Sequence, residues 1–158
     1  MSKAVELIEG LEAQAQLDSA GAFSLDREKA RQKMRQFQLA DPHRYVLLLV
    51  EFATLRGARR IEFEIDADDM RMRCDAVLEF EDLDELYTSL FVDRSGEGIR
   101  ARRELALACN AVMALNPKFV EITSFGPKGG VQALLRPDAP DEIRAIEAAQ
   151  PNGTLVHV

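Results

Sequence analysis

The sequence has little of what a disulfide-linked or zinc-centred protein requires. Its 158 residues include two cysteines, two histidines and no tryptophan. Cys74 and Cys109 lie within apolar patterns, so we expect no disulfide framework and a reducing compartment. His43 and His157 have no partners at zinc-ligand spacing, and we expect both at the surface. The composition thus disfavours a secreted scaffold and a structural zinc site.

Long apolar runs and excess positive charge are also missing. The longest run, Tyr45–Val50, is far shorter than the roughly 20 residues that a membrane-spanning helix needs. The first residues, MSKAVELIEG, lack the apolar centre of a signal peptide, so we expect a cytoplasmic protein. The net charge of −7 disfavours general nucleic-acid binding, because phosphate contacts need a basic surface. The 47% hydrophobic and 30% charged residues that are present suit one globular domain.

The clearest pattern runs from Tyr45 to Ala76. Apolar residues at three-and-four spacing predict a buried helix, and Gly57 is suited to its C-cap. Alternation of apolar and charged residues then predicts two strands, Ile61–Ile65 and Met70–Cys74. We expect an antiparallel hairpin with Ile65 opposite Met70. This register sets glutamates opposite arginines and places all the apolar side chains on one buried face.

Helices and strands alternate along the rest of the chain. Asp41 and Pro42 have the residue types of an N-cap and a first helical position. The patterns predict further helices over Ser2–Leu17, Lys29–Leu39, Glu79–Phe91, Ile99–Leu115 and Asp141–Ala149. They predict further strands over Phe119–Phe125, Val131–Arg136 and Thr154–Val158, with a linker over Pro137–Pro140. Helices on one face of a mixed, mostly antiparallel sheet make an α+β two-layer sandwich.

We divide the chain into a peripheral N-terminal helix, residues 1–20, and one domain, residues 21–158. The apolar stripe of the N-terminal helix is narrow and rich in alanine. It either docks on the domain or packs on a partner, including a second copy of the chain. No other partner is indicated.

The order of these elements resembles the GHKL superfamily, the Bergerat ATP-binding fold of DNA gyrase, HtpG-type chaperones, sensor histidine kinases and MutL. The segment LVEFATLRGARRIEFEI is similar to the family's central helix and first strand. MRMRCDAVL stands where the family has a strand ending in DxGxG, and RRELALACNAVMALNPKFVEITS stands at its second glycine motif. GTLVHV resembles the closing Gly-Thr strand. The resemblance covers about Asp26 onwards and is closest to the MutL and HtpG branch.

The family's catalytic groups are replaced in this sequence. A glutamate of the central helix activates water in the family, and an asparagine four residues later holds magnesium. Leu48 and Phe52 occupy these positions, and neither side chain can accept a proton or ligate a hard cation. Glu51 lies about a hundred degrees round the helix from Leu48. By strand parity Cys74 takes the place of the adenine-binding aspartate, and Asp75 points the other way unless the strand bulges.

The family's glycines are replaced as well. Ala76 and Leu78 stand at the two glycines of the first motif, and Arg103 stands at a phosphate-facing glycine of the second. Thr154 is kept among the polar pocket residues. The resemblance therefore implies a degenerate ligand pocket, without catalytic residue, metal ligand or cofactor, formed by Leu48, Phe52, Cys74, Asp75, Ala76, Leu78, Arg103 and Thr154.

Other polar clusters have two interpretations each. The arginines at the start of the long helix either bind an anion or form a solvated face paired with acidic neighbours; these residues are Arg94, Arg100, Arg102 and Arg103, with Glu97 and Glu104. Asp66, Asp68 and Asp69 do not have calcium-loop spacing, and we expect a solvated turn. No nucleophile motif surrounds Ser24, Ser89, Ser95 or Ser124.

Three functions follow from these patterns. The first is a pseudo-ATPase domain that acts as a protein-interaction or regulatory module. The second is a nucleotide- or small-molecule-binding domain without magnesium-dependent turnover, and the third is an ATPase with unrecognised catalytic residues. The joint loss of base, metal ligand and glycines favours the first function, so we do not expect an enzyme.

Overall fold

The computed structural model describes Met34 and residues 40–91, 95–147 and 151–158. The described residues form two 3-10 turns, Pro42–Arg44 and Thr88–Leu90, three α-helices and six strands. These are α1 (Tyr45–Leu55), β1 (Ile61–Ile65), β2 (Met70–Cys74), α2 (Phe80–Asp84), α3 (Glu97–Met113), β3 (Val120–Gly126), β4 (Gly129–Arg136), β5 (Ala139–Ile146) and β6 (Gly153–His157). The predicted helix Ser2–Leu17, the boundary at residue 20, most of Lys29–Leu39 and Arg94 lie outside these residues.

The strands form one sheet in the order β1-β2-β6-β3-β4-β5, and each neighbouring pair is antiparallel. Helices α1 and α3 pack on each other and on the inner face of the central strands, in one hydrophobic cluster. The predicted α+β class, with helices covering a mostly antiparallel sheet, is confirmed.

Helix α1 begins and ends as the sequence predicts. Asp41 Oδ1 accepts a hydrogen bond from the His43 amide at 3.0 Å, and Pro42 opens the 3-10 turn that leads into the helix. At the other end Gly57 has a φ of 79°, its amide donates to Thr54 O at 2.9 Å, and Ala58 N donates to Ala53 O at 2.9 Å. This pair of bonds is a Schellman C-cap, and it turns the chain from α1 into β1.

The β1–β2 register is confirmed, but the burial predicted for β1 is wrong. Ile65 pairs with Met70, Phe63 with Met72 and Ile61 with Cys74. The β2 side chains of these pairs are buried, whereas Ile65 is 66% exposed and Phe63 is 36% exposed. β1 is the edge strand of the sheet, and among the described residues the helices cover β2 but do not extend over β1.

Two predicted helices differ in the structure. The segment Glu79–Phe91 forms the five-residue helix α2 and a separate 3-10 turn, and Glu79 and Asp82 form a capping box at the start of α2. The segment 137–149, predicted as a linker and a helix, instead contains β5, which pairs with β4. Pro140 is tolerated in β5 because it lies on the edge of the sheet, and pairing with β4 overrides the helical composition.

The remaining helix and strand predictions within the described residues are confirmed with small shifts at the ends of the elements. The long helix corresponds to α3, and Asn116 follows it with a φ of 53°, a conformation that stops a helix. The last three predicted strands correspond to β3, β4 and β6.

Candidate functional site

Three small side chains meet where β2, β6 and β3 lie side by side. Cys74 pairs with Thr154, and Thr154 pairs with Ser124 on its other side. All three are buried, and Ser124 is fully inaccessible. Burial raises the pKa of the Cys74 thiol, so this cysteine behaves as a small apolar residue. This row lies at the position that the family resemblance assigns to the ligand.

The two hydroxyls of this row are occupied by the protein's own backbone. Leu78 N donates to Ser124 Oγ at 2.8 Å, and Thr154 Oγ1 donates to Ala76 O at 2.7 Å. Ser124 Oγ lies 2.9 Å from Thr154 Oγ1 and 3.4 Å from Gly153 O; since the Thr154 proton goes to Ala76 O, Thr154 Oγ1 is the nearer acceptor for the Ser124 hydroxyl. Three hydrogen bonds thus run in sequence: Leu78 N–H donates to Ser124, Ser124 donates to Thr154, and Thr154 donates to Ala76 C=O. Each hydroxyl donates its proton once. We call this series of hydrogen bonds the hydroxyl relay.

The segment 75–79, which follows β2, is held against the sheet on both sides of the relay. Ala76 and Leu78 are buried in the same cluster as Phe52, which is fully inaccessible, and Leu48 packs against that cluster half-buried. A side-chain carbon built on Gly126 would lie 2.6 Å from Val77 Cγ1, so Val77 covers this glycine closely. Apolar side chains and backbone therefore pack closely around the relay.

Asp75 points away from this row and is exposed. Its Oδ1 accepts hydrogen bonds from Arg59 N at 2.8 Å and Arg60 N at 3.2 Å. These backbone donors lower the pKa of Asp75, because they favour the ionised carboxylate. The carboxylate joins the chain entering β1 to the end of β2, which is a structural role.

Asp82 is the centre of an ion-pair cluster that the sequence pattern did not indicate. Its carboxylate accepts from Arg56 Nη2 at 3.0 Å, from Arg102 Nη2 at 3.0 Å and from Glu79 N at 2.9 Å. Arg56 Nη2 also donates to Val77 O at 2.6 Å. Asp82 is 7% exposed, and a buried acid is normally paired in this way. The cluster ties α2 to the C-cap of α1 and to α3.

The predicted arginine cluster is largely engaged in contacts within the fold. Arg102 pairs with Asp82 and with Glu85 at 3.0 Å, so its partners lie on and just after α2. Arg103 Nε donates to Ser89 O at 2.8 Å, which holds the 3-10 turn against α3. Arg100 is exposed near Glu104. Arg102 and Arg103 therefore link helices in this fold and are not free to bind a phosphate group.

Helices α1 and α3 bring two carboxyl groups together. The pKa of Glu104 is raised, first by burial and then by the charge and the hydrogen bond of Glu51. Glu51 is exposed on α1, so this pair lies at the outer rim of the helix contact.

The acidic turn between β1 and β2 has the predicted solvated form. Asp66 Oδ1 accepts from Asp68 N and Asp69 N, both at 2.9 Å. His157 Nε2 lies 2.8 Å from Asp69 Oδ1, and its ring contacts Phe119 edge-on at 5.0 Å. His157 is thus half-buried, unlike His43, and the surface prediction is wrong for it. Across the part of the chain that the structure describes, no group of His, Cys, Asp and Glu has a metal-binding arrangement.

Two of the surface cavities lie away from the hydroxyl relay, and a third reaches Thr154. One of about 530 Å³ lies beside the β1–β2 turn and is lined by Tyr45, Ile65 and Phe119 among others. A second, of about 440 Å³, lies on the charged face of the hairpin. A third, of about 140 Å³, is lined by Cys74, Thr154 and the chain leading into β6. Phe52, Ala76 and Leu78 line none of these three cavities.

Sequence reasoning missed Ser124 and Asp82. Ser124 has the same strand parity as the buried residues Val120 and Ile122, and a hydroxyl at such an inward position is a signal for a buried hydrogen bond. Asp82 follows Glu79 by three residues, which is the spacing of a capping box. Its arginine partners come from distant elements and leave no local pattern.

Comparison with known proteins identifies the fold. No family model matches the chain, and no curated protein matches it in sequence. Among solved structures, similar folds include the crystal structure of the B subunit of DNA gyrase from Myxococcus xanthus. That structure is 16% identical, with a TM-score of 0.50 over 73% of this chain and 36% of the gyrase chain. The described domain therefore has a gyrase-B-like fold and spans about a third of that gyrase chain.

At this level of identity the comparison establishes the fold and not the activity. It does not distinguish the MutL and HtpG branch, which stays a prediction. None of the described helices is long and apolar enough to cross a bilayer.

Proposed function

We propose that this chain is a GHKL-type pseudo-ATPase domain that acts as a protein-interaction or regulatory module. The observation that carries the proposal is the hydroxyl relay. Ser124 and Thr154 bond the backbone of residues 76–78 and hold it over the place where the fold would receive a nucleotide. A nucleotide at this place would have to displace the buried Leu78 and break these bonds, and each buried polar group left unpaired is costly.

Phe52 and Leu48 support the same proposal from the side of α1. Their side chains offer no oxygen to magnesium, and Phe52 is fully buried in the domain core. The Arg103 side chain bonds Ser89 O, so it does not replace the phosphate-binding glycine of the family. Base, metal ligand and phosphate contact are therefore lost together.

Thermal unfolding and calorimetry with ATP and ADP, each with and without magnesium, test the proposal. A ligand at 100 times its dissociation constant adds about 2.7 kcal/mol to the free energy of unfolding, which is easily measured. We expect no stabilisation by either nucleotide and no phosphate release. Steady phosphate release would instead establish an ATPase.

A binding domain without turnover is the second candidate, and one observation favours it. Ser124 and Thr154 place two hydroxyls 2.9 Å apart at the end of a central strand, a pair suited to the polar edge of a small ligand if residues 75–79 open. Stabilisation by nucleotide that does not depend on magnesium would support this candidate over the first.

A further inference from the structure

The outer edge of β1 directs its backbone hydrogen-bonding groups away from the sheet. Met70 exchanges two hydrogen bonds with Val158, on the β6 side of β2, at 3.0 and 2.9 Å. Along an antiparallel strand, the backbone N–H and C=O groups of successive residues point to opposite sides. The backbone groups of Arg71 and Arg73 therefore point to β1, where they pair with Glu64 and Glu62. The N–H and C=O groups of Ile61, Phe63 and Ile65 therefore point to the open edge.

The side chains of these same three residues form an apolar row that the described residues do not cover. Phe63 is 36% exposed and Ile65 is 66% exposed. The row continues the buried surface of β2, since Phe63 stands beside Met72 and Ile65 beside Met70. An edge with outward backbone groups and apolar side chains is suited to receive another strand.

The other edge of the sheet is protected against such pairing. β5 contains Pro140, which has no backbone N–H to donate to a further strand. β1 contains no proline and no lysine. Among the described residues, proline thus protects the β5 edge, whereas the β1 edge has no such protection.

The sequence of β1 indicates which partner fits. The strand reads Ile-Glu-Phe-Glu-Ile, which is identical in both directions about Phe63. An antiparallel copy centred on Phe63 sets Phe63 against Phe63 and Ile61 against Ile65. On the other face, Arg60 of one copy stands opposite Asp66 of the second copy, just beyond each end of the strand. A self-complementary surface of this kind is what a two-fold dimer requires.

We propose that β1 pairs antiparallel with β1 of a second copy of this chain, about a two-fold axis through Phe63. Three residues on each strand, each with one outward N–H and one outward C=O, form six backbone hydrogen bonds and join the two sheets. The apolar rows meet on one face. On the other face Glu62 comes opposite Glu64 of the second copy, and Arg73 and Arg71 beside these glutamates offset the repulsion.

This inference deepens the proposed interaction function by naming one partner, and it is tested separately from the nucleotide site. Nucleotide titration can fail or succeed without changing the edge of the sheet, and the oligomeric state does not depend on the hydroxyl relay. A protein that binds nucleotide and also dimerises through β1 would overturn the first proposal alone.

Sedimentation of the full chain over a concentration series is the first test. We expect the wild-type chain to associate to a dimer, and Phe63→Lys to be monomeric at the same concentrations. Leu47→Lys is the matched control, because Leu47 is 58% exposed on α1 and remote in sequence from the edge strand. An unchanged melting temperature of the monomeric form shows that each variant is folded. A monomeric wild-type chain, or association that survives Phe63→Lys, would overturn the proposal.

Cysteine cross-linking tests the register. In the proposed dimer residue 63 faces itself at a Cα separation of about 5.5 Å, which a disulfide can bridge. Phe63→Cys should therefore give a covalent dimer on mild oxidation. Residue 65 is more exposed, but it faces Ile61 of the second copy. The two copies of residue 65 are separated by roughly 13 Å along the strand, so Ile65→Cys should not form a disulfide. The native Cys74 and Cys109 are buried. Equal cross-linking of the two variants, or of neither, would contradict the register.

Discussion

At the scale of single residues, the hydroxyl relay joins three segments of the chain through small side chains. Ser124 and Thr154 lie on neighbouring strands, and their hydroxyls bond the backbone of residues 76–78. Buried polar groups of this kind contribute little when paired and cost much when one partner is removed. The relay therefore predicts an asymmetric response to mutation.

We expect Thr154→Val to lower the free energy of unfolding by about 1–3 kcal/mol, because Ala76 O and Ser124 Oγ each lose a partner in a buried place. The shape of the side chain is kept, so packing is unchanged. Thr123→Val, on the half-exposed outer face of β3, is the matched control, with an expected change of at most about 0.5 kcal/mol. Urea unfolding measures both variants, and equal effects would mean that the relay does not stabilise the loop.

Glu104 gives a prediction of pH dependence. Its pKa is raised by burial and by Glu51, so the folded chain binds this proton more tightly than the unfolded chain does. The charged carboxyl therefore opposes folding at neutral pH. Glu104→Gln should raise the free energy of unfolding at pH 7, and the gain should shrink as the pH falls through the raised pKa and vanish below the ordinary glutamate value.

Unfolding curves across this pH range, with Glu97→Gln as the comparison, measure the effect. Glu97 is exposed in the first turn of α3, where a negative charge favours the helix, so its neutralisation should bring no gain. A stability gain for Glu104→Gln that is constant with pH would contradict the electrostatic cause.

At the scale of elements, α2 depends on tertiary contacts. A helix of five residues is too short to be stable alone, and Asp82 is where it is attached to α1 and α3. The same carboxylate supports the capping box with Glu79. The stability of residues 79–90 is therefore expected to depend on one buried acid.

We expect Asp82→Ala to cost about 3 kcal/mol, since it leaves Arg56 and Arg102 without their carboxylate in a partly buried place. Amide exchange should accelerate across residues 79–90 before it does in the sheet. Glu142→Ala removes the partner of Arg136 in an exposed pair, where the expected cost is under about 1 kcal/mol. Slow exchange over residues 79–90 in Asp82→Ala would show that the apolar contacts of α2 suffice.

The elements that sequence reasoning predicted correctly are those specified by local chemistry. The β1–β2 register follows from charges and apolar residues that alternate over a short hairpin, and the end of α1 follows from Gly57. β5 could not be predicted in this way, because its pairing with β4 is a tertiary contact and its acidic, alanine-containing composition favours a helix. The exposure of β1 was also missed, since alternation indicates a face to be buried but not how far the helices reach.

At the scale of the whole molecule, some features of the candidate site follow from the sequence and others depend on tertiary contacts. The replacement of the family's base and metal ligand by Leu48 and Phe52 follows from the family resemblance and stays a prediction. The contacts among Leu78, Ser124 and Thr154 could not be predicted, because these residues come from three distant segments and meet only in the folded sheet. The fold was thus predictable from the sequence, whereas these tertiary contacts were not.

The position of β6 has a consequence for how the protein folds. β6 is the last of the six strands along the chain, yet it lies between β2 and β3, with Val156 opposite Met72 on one side and Ile122 on the other. Until it inserts, the β1–β2 hairpin and the β3–β5 meander share no strand pairing and leave two apolar borders open. Contacts of such long sequence separation slow folding, so the insertion of β6 should set the rate at which the six strands form one sheet.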